Sequence, residues 1–223
     1  MYDMARSLRL GITGPMGSGK STFSDFLRAA GHLVLESDAM AKEIMQHDPH
    51  ARQEISALLG KEAYHGHELN KEFVASSIFT DRAKRVALES IVHPRVTSAM
   101  RQAFAHGVPD QVSALESALI LQTELWREFD YIVLIEASDE TIITRLRSSR
   151  FTEEDVRARL SEQRQMTSEI EEADFTIENN GSLEEFKKRS QFILELMPHL
   201  AGRDLPEAPL HQLELDDEEP SLN

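Results

Sequence analysis

A glycine-rich stretch near the start of the chain carries the residue types that bind phosphate. Residues 14–21 have the sequence GPMGSGKS and fit the pattern G-x-x-x-x-G-K-[S/T]. In that pattern the glycines let backbone amides turn inward around an anion, and the following helix adds its unpaired N–H groups at the same point. The lysine supplies positive charge, and the hydroxyl after it is a ligand for Mg²⁺. The predicted ATP site comprises Gly14, Pro15, Met16, Gly17, Ser18, Gly19, Lys20, Ser21 and Thr22. Within it, Lys20 is predicted to be catalytic and Ser21 to bind Mg²⁺.

A carboxylate follows the second predicted strand, HLVLES at residues 32–37. In an open α/β sheet, ligands bind outside the carboxyl ends of the strands, so Asp38 is expected to face the site. A carboxylate at that position is a candidate for a catalytic role, and the alternative is that Asp38 caps the next helix.

The elements that must position these residues alternate along the chain. Strand patterns cover residues 8–13, 32–37, 112–117, 131–137 and 173–181, and helical patterns cover residues 21–31, 139–149, 152–166 and 182–197. This order predicts an α/β fold, a P-loop NTPase-type three-layer α/β/α sandwich with about five parallel strands.

The long middle of the chain, residues 39–105, is predicted to be a helical lobe inserted between strands. Breaks are expected at Asp48–Pro49 and at residues 65–67. Pro94 is expected to break or kink the last helix, because proline cannot donate an amide hydrogen bond.

Composition and charge exclude several classes of protein. The chain has 223 residues and no cysteine, which excludes disulfides, thiolate metal sites and cysteine nucleophiles. Its net charge of −15 argues against non-specific binding of nucleic acid, and no segment approaches the ~20 apolar residues of a membrane span. No signal peptide is recognised, so a cytoplasmic protein is expected. Residues 204–223 are acidic, lack lysine and arginine, and are expected to form a disordered tail.

Four segments together resemble the dephospho-CoA kinases. They are GITGPMGSGKST at 11–22, VLESDAMAKEI at 34–44, LNKEFVASSIFTDRAKRVALESIVHPRV at 69–96 and EEADFTIENNGS at 171–182. They follow the family's order and approximate spacing over about residues 10–186. The resemblance implies a kinase that uses ATP and Mg²⁺ to phosphorylate the ribose 3′-hydroxyl of dephospho-CoA. This reaction gives CoA and ADP and is the last step of CoA biosynthesis.

The resemblance also implies roles on the acceptor side. Glu36 and Asp38 match two acids of a family motif, which implies that Asp38 is the catalytic base and an acceptor contact. Phosphoryl transfer to an alcohol needs such a group, because it orients the hydroxyl and accepts its proton. Lys71, where the family usually has arginine, and His93 are implied to bind the acceptor. Glu116 is implied to lie at the acceptor and to support Mg²⁺ through water. A kinase domain over residues 8–203 is implied, with residues 39–105 binding the acceptor.

On the ATP side, the resemblance implies a mobile lid at about residues 145–165. The family spacing R-L-x-x-R becomes RLRSSR here, so Arg145, Arg147 and Arg150 are the candidates. Arg145 is predicted to be catalytic, because a lid arginine can neutralise charge on the transferred phosphoryl group, and Arg150 is predicted to bind ATP. Asn179 and Gly181 match a turn that lies against the adenine.

One segment departs from the family pattern and keeps two alternatives open. Residues 116–122 are ESALILQ, where the family usually has D-I-P-L-L-F-E. The alternatives are another P-loop nucleoside or nucleotide kinase, and a non-catalytic protein that binds ATP.

The expected partners are ATP and dephospho-CoA, without nucleic acid or membrane, and the chain is expected to be a monomer or a weak homo-oligomer.

Overall fold

A five-stranded parallel sheet organises the molecule. This is a computed structural model, and it describes residues 6–79, 81–147, 152–167 and 173–205. The sheet strands are β1 (Leu8–Thr13), β2 (Leu33–Glu36), β5 (Val112–Glu116), β6 (Tyr131–Glu136) and β7 (Phe175–Glu178). Their order is β2-β5-β1-β6-β7, and every neighbouring pair is parallel. The glycine stretch therefore leaves the sheet at its central strand, β1.

Helices cover both faces of this sheet, as predicted for the three-layer fold. They are α1 (Lys20–Ala29), α2 (Ser37–His47), α3 (Pro49–Leu59), α4 (Lys71–Phe79), α5 (Arg82–Ala105), α6 (Asp139–Leu146), α7 (Glu153–Thr167) and α8 (Leu183–Leu196). One apolar core joins β1 and β6 to Phe23 of α1 and Phe186 of α8. The opposite core joins Leu115 and Ile132 of the sheet to Met100 of α5.

The helical group, α2–α5, has an apolar core of its own. Ile55 of α3, Val74 of α4 and Val92 of α5 are buried together in it. The predicted break at residues 65–67 is a turn between two short antiparallel strands, β3 (Tyr64–His65) and β4 (Glu68–Leu69). The predicted break before α3 is also present, and the Asp48 side chain caps that helix by accepting from the amide of Ala51.

Pro94 was predicted to break or kink the last helix of this group, and the break is not present, because α5 continues through it to Ala105. A proline inside a helix removes one backbone hydrogen bond and costs about 3 kcal/mol. Burial of the apolar residues on both sides of Pro94 offsets that cost; these are Leu88, Val92, Val96, Met100 and Phe104. Among the described residues, no helix is long and apolar enough to cross a membrane.

Candidate active site

The glycine loop has a backbone that only glycine can form at two of its positions. Gly14 has φ 143° and Gly19 has φ 111°, both in the region that disfavours L side chains. A Cβ on Gly14 would lie 2.2 Å from the carbonyl oxygen of Ile135, and one on Gly19 would lie 2.3 Å from Nδ2 of Asn179. The loop therefore depends on its glycines both for its conformation and for its close contact with β6 and β7.

Lys20 begins α1 directly after the loop, and its ammonium folds back over it. Nζ donates hydrogen bonds to the carbonyl oxygens of Gly14 at 2.9 Å and Pro15 at 3.0 Å. Burial lowers the pKa of Lys20, and the nearby carboxylates of Glu116 and Asp38 oppose that shift. An incoming phosphate would bring further negative charge to this half-buried ammonium.

Glu116 connects β5 to the start of α1. It ends β5 beside Ile12 of β1, and its carboxylate accepts hydrogen bonds from the hydroxyls of Ser21 and Ser24, each at 2.8 Å. A hydroxyl and a carboxylate held side by side are oxygen donors of the kind that Mg²⁺ prefers. Ser21 and Glu116 therefore fit the predicted metal site.

Asp38 lies in a cavity of about 500 Å³ next to these groups, here named the Asp38 cavity. The residues that line it include Lys20, Ser21, Glu36, Asp38, Lys42, Glu116, Ala118, Arg159 and Gln163. Asp38 is exposed in the first turn of α2, and within the described chain its carboxylate accepts no hydrogen bond. The alternative role as helix cap is not seen, because the N-cap position of α2 is Glu36. Glu36 instead forms an ion pair with Arg28.

Two cationic side chains that were not predicted from the sequence also line this cavity, Lys42 and Arg159. Lys42 is four residues after Asp38, a spacing that places two side chains on the same side of a helix. That signal was available in the sequence. Arg159 comes from α7, and its place at the cavity depends on tertiary packing that no local pattern reveals.

Arg145 and Asn179 support the opposite side of the glycine loop. The Arg145 guanidinium donates to the Ser18 carbonyl at 3.3 Å and to the Asn179 carbonyl at 2.9 Å. Asn179 is buried, and its side-chain amide donates to the Ser18 carbonyl at 2.7 Å. Both residues line a second groove of about 460 Å³, together with Thr22 and Gly181. These contacts place Arg145, Asn179 and Gly181 beside the loop, on the side away from Asp38.

His93 lines a third space of about 290 Å³, here named the His93 cavity. Ser37 and Ser117 also line it, and they are the sequence neighbours of Asp38 and Glu116. Lys71, by contrast, is exposed at the first residue of α4 and lines none of these three spaces. Arg147 is exposed just after α6. The predicted ATP contact Arg150 lies outside the described residues.

Glycine loops of this kind serve many nucleotide-binding proteins, but here an open cavity with an exposed carboxylate adjoins the phosphate site. That cavity has room for an acceptor next to the phosphate that would be transferred. The fold and the site together define a P-loop kinase. A family model for dephospho-CoA kinase matches residues 8–185, and the chain belongs to that family. The resemblance found in the sequence is thus confirmed.

Individual relatives agree with the family match. The dephospho-CoA kinase of Corynebacterium efficiens is 31% identical over 198 residues, which cover 86% of this chain and 99% of the relative. The dephospho-CoA kinase of Bacteroides fragilis is 32% identical over 195 residues, which cover 87% and 93% of the two chains.

Solved structures share the fold. The crystal structure of TT1252 from Thermus thermophilus superposes with a TM-score of 0.73 at 28% identity, covering 88% of this chain and all of that one. A dephospho-CoA kinase from Campylobacter jejuni gives a TM-score of 0.63 at 17% identity, with coverages of 86% and 97%.

Proposed function

We propose that the protein transfers the γ-phosphate of ATP to the ribose 3′-hydroxyl of dephospho-CoA, giving CoA and ADP, the last step of CoA biosynthesis. The family match over residues 8–185 is the observation that carries this proposal. The site supports it, since an exposed carboxylate, a half-buried lysine and the glycine loop line one cavity.

ATP would lie with its phosphates on the loop formed by residues 14–22. Lys20 would leave the carbonyls of Gly14 and Pro15 and bind the β- and γ-phosphates, where its charge offsets the charge of the transferred group. Arg145 would hold the loop and contribute positive charge near the phosphates. Asn179 and Gly181 would line the adenine side of the groove. Arg150 stays a prediction.

Ser21 would hold Mg²⁺ directly and Glu116 would hold it through water, consistent with their mutual hydrogen bond. The ion supplies positive charge that bridges the phosphates of ATP and offsets the charge that develops during transfer. Glu116 would also border the acceptor.

The acceptor hydroxyl would enter beside Asp38, which would orient it and accept its proton. We assign acceptor binding to the helical group, about residues 39–105, and a lid function to about residues 145–165. His93 is supported as an acceptor contact because the His93 cavity is also lined by Ser37 and Ser117, the sequence neighbours of Asp38 and Glu116. Lys71 stays a predicted contact, and the acceptor would have to reach the start of α4 to meet it. Cytoplasmic localisation and a monomeric or weakly associated state are also predictions.

The test is release of ADP from ATP and Mg²⁺ with dephospho-CoA, compared with adenosine, AMP and shikimate as acceptors. We expect dephospho-CoA to be the preferred acceptor. Preference for another alcohol would support the alternative of a different P-loop kinase. A rise in melting temperature with ATP but no ADP from any acceptor would support a non-catalytic ATP-binding protein.

A further inference from the structure

One further cavity lies at the carboxyl ends of β1, β6 and β7, on the side of the glycine loop that faces α7. Its volume is about 490 Å³, and we name it the β6–β7 cavity. Pro15, Leu121, Leu134 and Ala137 give it apolar walls. Its polar groups are amides, hydroxyls and carboxylates, from Thr13, Gln122, Glu136, Ser138, Glu178 and Asn180. Gly14 and Pro15 of the glycine loop border this space, but no part of ATP or of the acceptor has been assigned to it above.

The charges of the lining exclude phosphate as its occupant. Within the described chain the lining contains no lysine or arginine, whereas Glu136 and Glu178 contribute two carboxylates. A phosphate placed there would be repelled and would find no cation to pair with. Neither the triphosphate of ATP nor the diphosphate of dephospho-CoA suits this cavity. A neutral chain with hydrogen-bonding groups does suit it.

The β6–β7 cavity adjoins the Asp38 cavity, because Ala118 and Gln163 line both. Gln163 lies at the border between them, and its side-chain oxygen accepts a hydrogen bond from the amide of Met16 at 3.3 Å. A ligand whose hydroxyl meets Asp38 can therefore extend past Ala118 into the second space.

We propose that the β6–β7 cavity binds the pantetheine arm of the acceptor, an inference that rests on the proposed function. That arm is the long, uncharged part of dephospho-CoA, and it alternates apolar carbons with two amides and a hydroxyl. The apolar walls match the carbons, and the side chains of Gln122, Ser138 and Asn180 match the polar groups.

The His93 cavity is the competing place for the arm, and it is the less suitable one. It is smaller, at about 290 Å³, and it contains the ion pair between Arg101 and Glu128. A short, rigid group such as the adenine fits a space of that size between Leu119 and Leu125. The two cavities therefore divide the acceptor into a base and an arm on opposite sides of Asp38.

The test compares Leu121→Phe, which fills the β6–β7 cavity, with the matched variant Leu125→Phe, which fills the His93 cavity. Steady-state kinetics would give KM and kcat for dephospho-CoA, and AMP would serve as a competitive inhibitor that has the adenosine but no arm. For Leu121→Phe we expect KM for dephospho-CoA to rise about tenfold or more while the inhibition constant of AMP changes little. For Leu125→Phe we expect both constants to rise. Gln122→Ala, in the lining of the cavity, provides a second variant whose KM should rise in the same selective way, and melting temperatures establish that each variant is folded.

The inference is overturned if Leu121→Phe and Gln122→Ala leave KM for dephospho-CoA unchanged. It is also overturned if Leu125→Phe raises KM for dephospho-CoA but not the inhibition constant of AMP, since the arm would then lie in the His93 cavity. Failure of the proposed function is a separate result, because the unmodified protein would then not phosphorylate dephospho-CoA at all.

Discussion

Glu116 accepts hydrogen bonds from Ser21 and Ser24 through its two carboxylate oxygens, each at 2.8 Å, and so joins the end of β5 to the first turn of α1. Glu116→Gln would keep one acceptor oxygen but remove the negative charge that we propose supports Mg²⁺ through water. We expect kcat to fall by about 10- to 100-fold and the Mg²⁺ concentration needed for half-maximal rate to rise. Titration of the rate with Mg²⁺ measures both effects.

Ser24→Ala is the matched control for that experiment, because it removes one hydrogen bond to Glu116 and leaves the charge in place. We expect its Mg²⁺ requirement to stay close to that of the unmodified protein. An unchanged Mg²⁺ requirement in Glu116→Gln would separate this carboxylate from the metal.

Asp38 is exposed in the Asp38 cavity, where its carboxylate is free to meet an acceptor hydroxyl. Asp38→Asn removes the proton acceptor with little change in shape. We expect ATP affinity to be retained and kcat to fall by about 10²- to 10⁴-fold, the usual contribution of general base catalysis. Calorimetry gives the affinity and ADP release gives the rate. Glu36→Gln, which alters a carboxylate paired with Arg28, should reduce turnover far less. Full turnover in Asp38→Asn would remove this residue from the mechanism.

We expect the lowered pKa of Lys20 to affect both the stability of the protein and its binding of ATP in the alkaline range. Burial lowers this pKa below the model-peptide value of 10.5. In the free protein the charged form of Lys20 is therefore disfavoured, which lowers the free energy of unfolding. This destabilisation is fully present at pH values below the lowered pKa. As the pH rises through the lowered pKa towards 10.5, the folded protein loses this proton before the unfolded chain does, so the destabilisation disappears.

Bound triphosphate favours the charged ammonium and so raises the pKa of Lys20, and ATP binding should therefore take up a proton at pH values near and above the lowered pKa of the free protein. Calorimetry in two buffers of different ionisation enthalpy measures that uptake. Lys20→Arg is the control, because a guanidinium stays charged and should abolish the uptake. Equal apparent binding enthalpies in both buffers for the unmodified protein would contradict this prediction.

Asp130 joins the two ends of the described chain and has no exposed surface. Its carboxylate accepts from the Arg6 guanidinium at 2.7 and 2.6 Å and from the backbone amides of Arg9 and Arg203 at 2.7 and 2.6 Å. Asp130→Asn removes the charge and one acceptor, and we expect a loss of about 3 kcal/mol in the free energy of unfolding. Denaturant unfolding measures it. Glu124→Gln, in an exposed ion pair with Arg127, is the control and should change the free energy of unfolding by less than about 1 kcal/mol. Equal losses in the two variants would show that the buried contacts of Asp130 add no special stability.

The contacts of Arg203 with Asp130 and Asp174 predict how far the carboxyl end can be shortened without loss of stability. Deleting residues 205–223 keeps Arg203 and should leave both activity and stability intact. Deleting residues 203–223 removes the amide and guanidinium of Arg203, which bind Asp130 and Asp174, and should lower the melting temperature. A large loss of activity in the shorter deletion would show that the acidic tail contacts the site.

Local signals in the sequence predicted the parts of the fold that are built from neighbouring residues. The glycine loop, its strand and its helix are contiguous, so the pattern around Lys20 identified all three. The helical pattern over residues 182–197 likewise corresponds to α8, which begins with a capping box in which Ser182 and Glu185 form both hydrogen bonds. The break predicted as one outcome at Pro94 is absent, because burial of the surrounding apolar residues outweighs the local cost of proline in a helix.

Contacts between distant segments could not be predicted in this way. The hydrogen bond from Arg145 to the Ser18 carbonyl of the glycine loop joins residues that are 127 apart in the chain. Gln163 and Arg159 reach the cavities only because α7 packs over the carboxyl end of the sheet. The family resemblance implied a role for Arg145, whereas for the two α7 residues neither spacing nor residue type indicated the site.

The most direct test of the account is the identity of the product formed from dephospho-CoA, ATP and Mg²⁺. Phosphorus-31 NMR of the reaction, with mass spectrometry of the purified acceptor, would locate the new phosphate. The account predicts one new phosphomonoester on the ribose 3′-oxygen for each ADP released. ADP formed without phosphorylated acceptor, or a phosphate at any other position, would contradict it.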